Sequence, residues 1–337
     1  SKEILSIKEI LKKICRIKKK RFDSYVKLTK ERKKNLISQL AIIEDKINNM
    51  KRYIIILLVM GSIKAQDDQV GVLIPWYNYP IHWSSDYQWD DLANSASEIP
   101  ITAIINANNG PGTGGPNADY VVGMSALADK VTTIGYVFTG YGTRDISTVK
   151  TEIDEWANNW VPHGLSGIFI DEMSTETSTL AYYEELYEYI LSKSGLDEVH
   201  GNPGMSSEEA FVSAPTTTSL VISENYMSEW TSHSTDSWVN EYDAARFSML
   251  VHTASTTGEM QTAIDLAVQR NIGLVYVTDD VMPNPWDKLP TYWQEKVKYI
   301  KSINQGNDSE EPTFTDIDTN GDGCISEEEF DNARDGN

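Results

Sequence analysis

Two acidic positions close apolar runs. Asp171-Glu172 follows Gly167-Ile168-Phe169-Ile170, and Glu224 follows Leu220-Val221-Ile222-Ser223. Cleaving a glycosidic bond takes two carboxyl groups facing each other across it, one giving a proton and one attacking or activating water. Asp171 or Glu172 with Glu224 supplies such a pair if the two runs are strands of one sheet. Acidic residues after strands also cap helices. That reading suits Asp171-Glu172 less, because the pair directly ends an apolar strand. Rival nucleophile systems are missing from the sequence. It holds no Gly-x-Ser-x-Gly elbow and no His-Glu-x-x-His. The five His residues lack zinc spacing, and Cys15 and Cys324 flank the central part.

A second constellation binds cations rather than sugars. Asp318, Asn320 and Asp322 occupy positions 1, 3 and 5 of a twelve-residue loop, with Gly323 at the turn. Cys324 offers its carbonyl at position 7, Ser326 stands at 9, and Glu329 at 12 can chelate with both oxygens. This is the EF-hand pattern, with Ile325 as its apolar anchor. Only one such loop occurs, so weak Ca²⁺ binding is expected, on the order of 10⁻⁴ M or worse. A structural or docking role, with a partner for the tail, fits better than signalling. The carboxylate chemistry itself calls for no cofactor.

These residues need elements to position them. Eight short apolar runs alternate with amphipathic stretches: 70–74, 101–105, 133–138, 167–170, a weak one at 198–201, 220–223, 248–251 and 273–277. Continuous apolar runs of this length predict strands buried on both faces. Helices are predicted over 145–160 (Val149, Ile153, Trp156 and Trp160 on one face), 179–194 (Tyr183, Leu186, Tyr187, Ile190), 259–270 (Ile264, Ala267, Val268) and 286–303. Eight such units in about 235 residues predict an α/β fold, a (β/α)8 TIM-type barrel, with an EF-hand tail. A doubly wound sheet is the alternative, but no Gly-rich phosphate loop follows the first run.

Barrel sites lie at the carboxyl ends of the strands. There the sequence places Trp76, Tyr77 and Tyr79, then Asn106 and Asn108, Tyr141, Asp171-Glu172, Asn202, Glu224 and Tyr226, His252, and Asp279-Asp280. The set is carboxylates, amides and aromatics with one His and no Lys or Arg. Such a ring suits sugar binding, with Trp76, Tyr77, Tyr79 and Tyr141 as stacking platforms or as rim packing.

Net charge is -21, unevenly spread. Residues 1–64 hold 18 Lys/Arg and 6 Asp/Glu, leaving 11 and 44 for the rest. A body so acidic repels phosphate, which argues against nucleic-acid binding, and attracts cations and cationic polymers. Met50-Lys51-Arg52, the apolar run 53–60 and a small-residue site at Ala65 read as a signal peptide. The run is too short to span a bilayer, for which about 20 apolar residues are needed. The expected organisation is a basic segment 1–49 absent from the mature protein, a signal peptide 50–65, a barrel 66–304, a linker 305–312 and an EF-hand 313–337. A secreted or cell-surface protein with no stable membrane span follows.

The strings Val72-Leu73-Ile74-Pro75-Trp76-Tyr77, Asn109-Gly110-Pro111-Gly112, Gly167-Ile168-Phe169-Ile170-Asp171-Glu172, Gly201-Asn202-Pro203-Gly204 and Tyr276-Val277-Thr278-Asp279-Asp280 resemble the spherulation-specific family 4 domain. The resemblance runs from about 70 to 303. It implies a (β/α)8 barrel related to microbial glycoside hydrolases that cleave α-1,4-linked galactosamine or N-acetylgalactosamine polymers. It also implies an acidic trio, matched here by Asp171, Glu172 and Glu224. A retaining route would use Asp171 as nucleophile and Glu224 as acid/base; inverting and substrate-assisted routes stay open. A non-catalytic carbohydrate-binding protein on the same barrel is the other reading.

Overall fold

Eight apolar runs pair in chain order, each parallel to the last, and the eighth closes on the first. In this computed structural model, which describes residues 69–307, the strands are β1 Gly71–Trp76, β2 Ile101–Ile105, β3 Thr132–Phe138, β4 Leu165–Asp171, β5 Glu198–Gly201, β6 Ser219–Tyr226, β7 Phe247–His252 and β8 Leu274–Val277. The helices are α1 Trp89–Ser95, α2 Ala118–Leu127, α3 Ile146–Glu155, α4 Leu180–Leu191, the short α5 Ala210–Ser213 and α6 Met227–Ser232, α7 Thr257–Gln269 and α8 Trp293–Asn307. The expected (β/α)8 barrel is therefore the fold. The basic segment, the signal peptide and the EF-hand loop lie outside the described residues.

Several boundaries move outward. The predicted strands stop where polarity begins, but ladder bonding does not depend on polarity, so β4 runs through Asp171, β6 through Glu224 to Tyr226, and β7 through His252. Helix α8 likewise continues through Asn307, so the predicted linker start at 305 is helical. Asn304 anchors that end, its side-chain oxygen accepting from Val70 N at 2.8 Å and its amide donating to Val70 O at 3.1 Å. On α7 the buried face is Met260, Ala263, Ile264 and Ala267. Val268, expected among them, is exposed, since a step of one residue from Ala267 turns away from the core.

Buried indole rings pack among the aliphatic side chains of the core. Asp145 caps α3, its side chain accepting from Thr148 N. The helix then passes into a π turn at Trp156–Trp160, and Val149, Ile153, Trp156 and Trp160 are all buried as one face. Trp156 lies against β3 where Gly135 leaves room, and its Nε1 donates to Tyr136 O at 3.0 Å. A Cβ on Gly135 would stand 2.4 Å from the Trp156 ring. Gly135→Ala is therefore expected to cost about 1–3 kcal/mol. Urea unfolding would show it as a lower midpoint at unchanged slope.

Candidate active site

Adjacent strands β4, β5 and β6 bring three side chains to one point above the barrel. The side-chain amide of Asn202, just past β5, donates to Asp171 Oδ1 at 2.8 Å and to Glu224 Oε2 at 2.7 Å. The Asn202 backbone is itself fixed: its N–H donates to Ile170 O at 2.8 Å and its carbonyl accepts from Met173 N at 2.9 Å. Tyr136 on β3 donates its hydroxyl to Asp171 Oδ2 at 2.8 Å. Both oxygens of Asp171 are thus held. A register shift in β6 between Val221 and Ser223 re-aims the end of that strand. Glu224 N–H then donates to Gly204 O at 2.9 Å, fixing its backbone against the β5 loop.

Glu172 turns the chain out of β4 in the left-handed region, at φ 48°. Its carbonyl accepts from Tyr141 N at 2.7 Å and from Thr139 Oγ1 at 2.8 Å, which pins this unfavourable backbone to the β3 loop. The side chain is left lining the cleft.

The cleft has a volume of about 370 Å³, within the roughly 300–1,000 Å³ of ligand pockets. Seven of the residues expected from sequence line it: Tyr141, Asp171, Glu172, Asn202, Glu224, Tyr226 and His252. No Lys or Arg is among the described lining residues. Tyr77 sits beside them, its ring edge-on to Tyr136 at 5.9 Å. Burial first, then the charge of Asp171, pushes the Tyr77 and Tyr136 phenols up, so both stay protonated. Burial also pushes Glu224 up; Asn202 opposes this and the charge of Asp171 adds to it. His252 is only 5% exposed and stands edge-on to Tyr226 at 4.3 Å. Burial lowers its pKa, leaving a neutral imidazole.

The remaining expected residues are placed elsewhere. Trp76, 1% exposed, completes β1 and packs edge-on against Trp89 at 5.9 Å, so it fills core and offers no face to a ligand. Tyr79 donates to Asp119 at 2.6 Å, outside the cleft. Asn106 accepts from Gly110 N at 2.9 Å and closes the β2 loop, on which Asn108 is exposed. Asp279 accepts from Thr291 N at 3.2 Å ahead of α8, and Asp280 pairs with Lys288 at 3.1 Å. Tyr136 is not among the expected residues; a polar-tipped ring between Gly135 and Val137 in a buried strand is its only signal. Met282, from the β8 loop, was missed with no comparable signal.

One amide nitrogen within hydrogen-bond reach of both carboxyl groups sets a bound. The two bonded oxygens are at most about 5.5 Å apart, short of the about 6.5–9.5 Å between the carboxyl groups of inverting glycosidases and on the side of the closer pairs of retaining ones. Among the described residues no cluster of three His, Cys, Asp or Glu is placed to hold a metal ion, and no helix is long and apolar enough to cross a membrane.

Fold and site together define a (β/α)8 barrel with a paired-carboxylate cleft at the carboxyl ends of its strands. The chain belongs to the spherulation-specific family 4, whose model matches residues 71–300. Spherulin-4 of Physarum polycephalum is 33% identical over 252 residues, covering 71% of this chain and 73% of that protein. The crystal structure of Aspergillus clavatus Sph3 in complex with GalNAc shares the barrel, with a TM-score of 0.61 at 24% identity over 69% of this chain and 98% of that one.

Proposed function

We propose that the chain is an endo-acting glycoside hydrolase that cleaves a galactosamine- or N-acetylgalactosamine-containing polysaccharide with retention of configuration. The observation that carries this is the single Asn202 amide bridging Asp171 and Glu224. Asp171 attacks the anomeric carbon while Glu224 gives its proton to the departing glycosidic oxygen. A glycosyl ester on Asp171 and a free chain end result. Glu224, now a carboxylate, takes a proton from water as that water attacks the same carbon. This releases the sugar and restores both groups. The upward push on Glu224 suits an acid that must hold its proton before the first step. Glu172 accepts a hydrogen bond from a sugar hydroxyl, and Tyr141 and Tyr226 flank the ring.

The choice of sugar rests on family membership and on GalNAc in the Sph3 complex. The absence of cations from the described lining agrees with a neutral or amino sugar over an acidic one. Secretion, and Ca²⁺ held by Asp318, Asn320, Asp322, the Cys324 carbonyl, Ser326 and Glu329, belong to the same proposal.

The test is reducing-end release from acetylated and partly deacetylated α-1,4-linked galactosamine polymers, with NMR of the first-formed anomer. Release with the α-anomer first supports the reading. The β-anomer first would replace retention by inversion. Tight glycan binding with no release would make the barrel a binding protein.

A further inference from the structure

Exposed apolar side chains gather at the end of the barrel that carries the cleft. Of ten large hydrophobic side chains exposed among the described residues, seven lie at or beyond the carboxyl ends of the strands. The other three, Val122, Leu191 and Val268, are scattered singly on helices. Tyr141, Tyr226 and Met282 belong to the cleft wall. Trp83, on the β1 loop, does not, yet at 66% it is the most exposed of all. A single exposed side chain is ordinary, but this indole shares the end of the barrel that carries the cleft with six other exposed apolar groups.

The Trp83 loop is built rather than loose. Short turns close it, Ile81 N to Tyr79 O, His82 N to Pro80 O and Ser84 N to Ile81 O, each at 2.8 Å. Asp119, at the start of α2, accepts from Tyr79 at 2.6 Å and lies 3.5 Å from His82 Nε2. His82 in turn stands edge-on to Trp83 at 5.0 Å. The loop is also tied to the one that supplies Met282: Tyr77 N donates to Trp286 O at 3.1 Å and Asn78 Nδ2 to Asp287 O at 2.8 Å. These two bonds hold the start of the Trp83 loop, at Tyr77 and Asn78, against the segment after β8 that also carries Met282 of the cleft wall.

A cleft of about 370 Å³ takes only a short piece of a polymer, and the rest lies outside it, where the loops at this end of the barrel can meet it. We propose that Trp83, braced by His82 and Asp119, is a distal sugar-binding platform that stacks on a pyranose ring of the same polysaccharide chain beyond the cleft. The inference rests on the proposed activity and adds a site to it. An aromatic face meets the C–H face of a sugar, and a ring fixed before binding loses little entropy on contact.

The experiment compares wild type, Trp83→Ala and Trp83→Phe on a long N-acetylgalactosamine polymer and on short oligosaccharides of the same sugar. KM is read for each, and Kd in a Glu224→Gln background. The expected result is that the preference of wild type for long over short chains falls roughly tenfold in Trp83→Ala, in KM and Kd rather than kcat, and is largely restored in Trp83→Phe. An unchanged length preference would overturn the platform while the activity stood. So would equal losses on both lengths. A dimer in sedimentation that Trp83→Ala abolishes would give the face to a second copy instead. A wild-type chain that neither cleaves nor binds these polymers would sink the proposed activity and the platform together.

Discussion

Replacing Asp171 by Asn is expected to lower kcat by more than about 10⁴-fold, the scale of losing a nucleophile. The substitution is sterically mild. An amide keeps the planar shape, its oxygen can still accept from Asn202, and its NH2 can donate to the Tyr136 hydroxyl in place of the present bond. The fold and glycan affinity should therefore survive, and only the attacking charge is lost. A galactosaminyl fluoride with fluorine at C5 separates nucleophile from mere charge. It slows both steps, the second more, so a glycosyl ester accumulates. Intact-mass spectrometry should find wild type heavier by one glycosyl unit, on the peptide holding Asp171, and Asp171→Asn unlabelled. A label on Glu172 would move the nucleophile to its neighbour. No label on an active enzyme would rule out a protein-bound intermediate.

The fold was largely legible because eight apolar runs at regular spacing admit few architectures, and the weakest of them, 198–201, still pairs as β5. The acidic pair was legible for a local reason: an acid that closes an apolar strand sits where barrel sites form. What could not be read was facing. In a strand buried on both sides the pattern does not say which residues point inward, so Tyr136 went unmarked and Trp76 was offered as a platform. Nor does sequence say which polar side chains are already spent. Asp279 is engaged by Thr291 and Asp280 by Lys288, both partners on the segment between β8 and α8. The bridge made by Asn202 joins residues 22 and 31 positions away and depends on the stagger of three strands. Sequence brought Asn202 to the right end of the barrel and no further.

Glu224→Gln is expected to cost about 10²–10⁴-fold in kcat on the polysaccharide, the usual worth of a general acid. The loss should depend on the leaving group. A galactosaminide carrying a good aryl leaving group needs no proton, so its first step should run at near wild-type rate, leaving the ester slow to hydrolyse and visible as a burst. The pH profile gives an independent handle. Wild-type activity should fall on the alkaline side as Glu224 ionises, at a pH above its ordinary value of 4.5 because burial holds the proton on. Stability carries the same signature with a definite sign. A carboxyl whose pKa is raised by folding binds its proton more tightly in the native state, so folding weakens as pH rises from about 4.5 to the native pKa and stays weakened above it. Gln has no charge to bury, and its oxygen can accept from Asn202 as the carboxyl does. Glu224→Gln should therefore match wild type in Tm near pH 4 and exceed it at neutral pH. An inactive variant with no pH-dependent gain in Tm would mean that burial is not what holds the proton on Glu224, whereas a variant that keeps its activity on the polysaccharide would move the proton donor to Glu172, the third carboxyl lining the cleft.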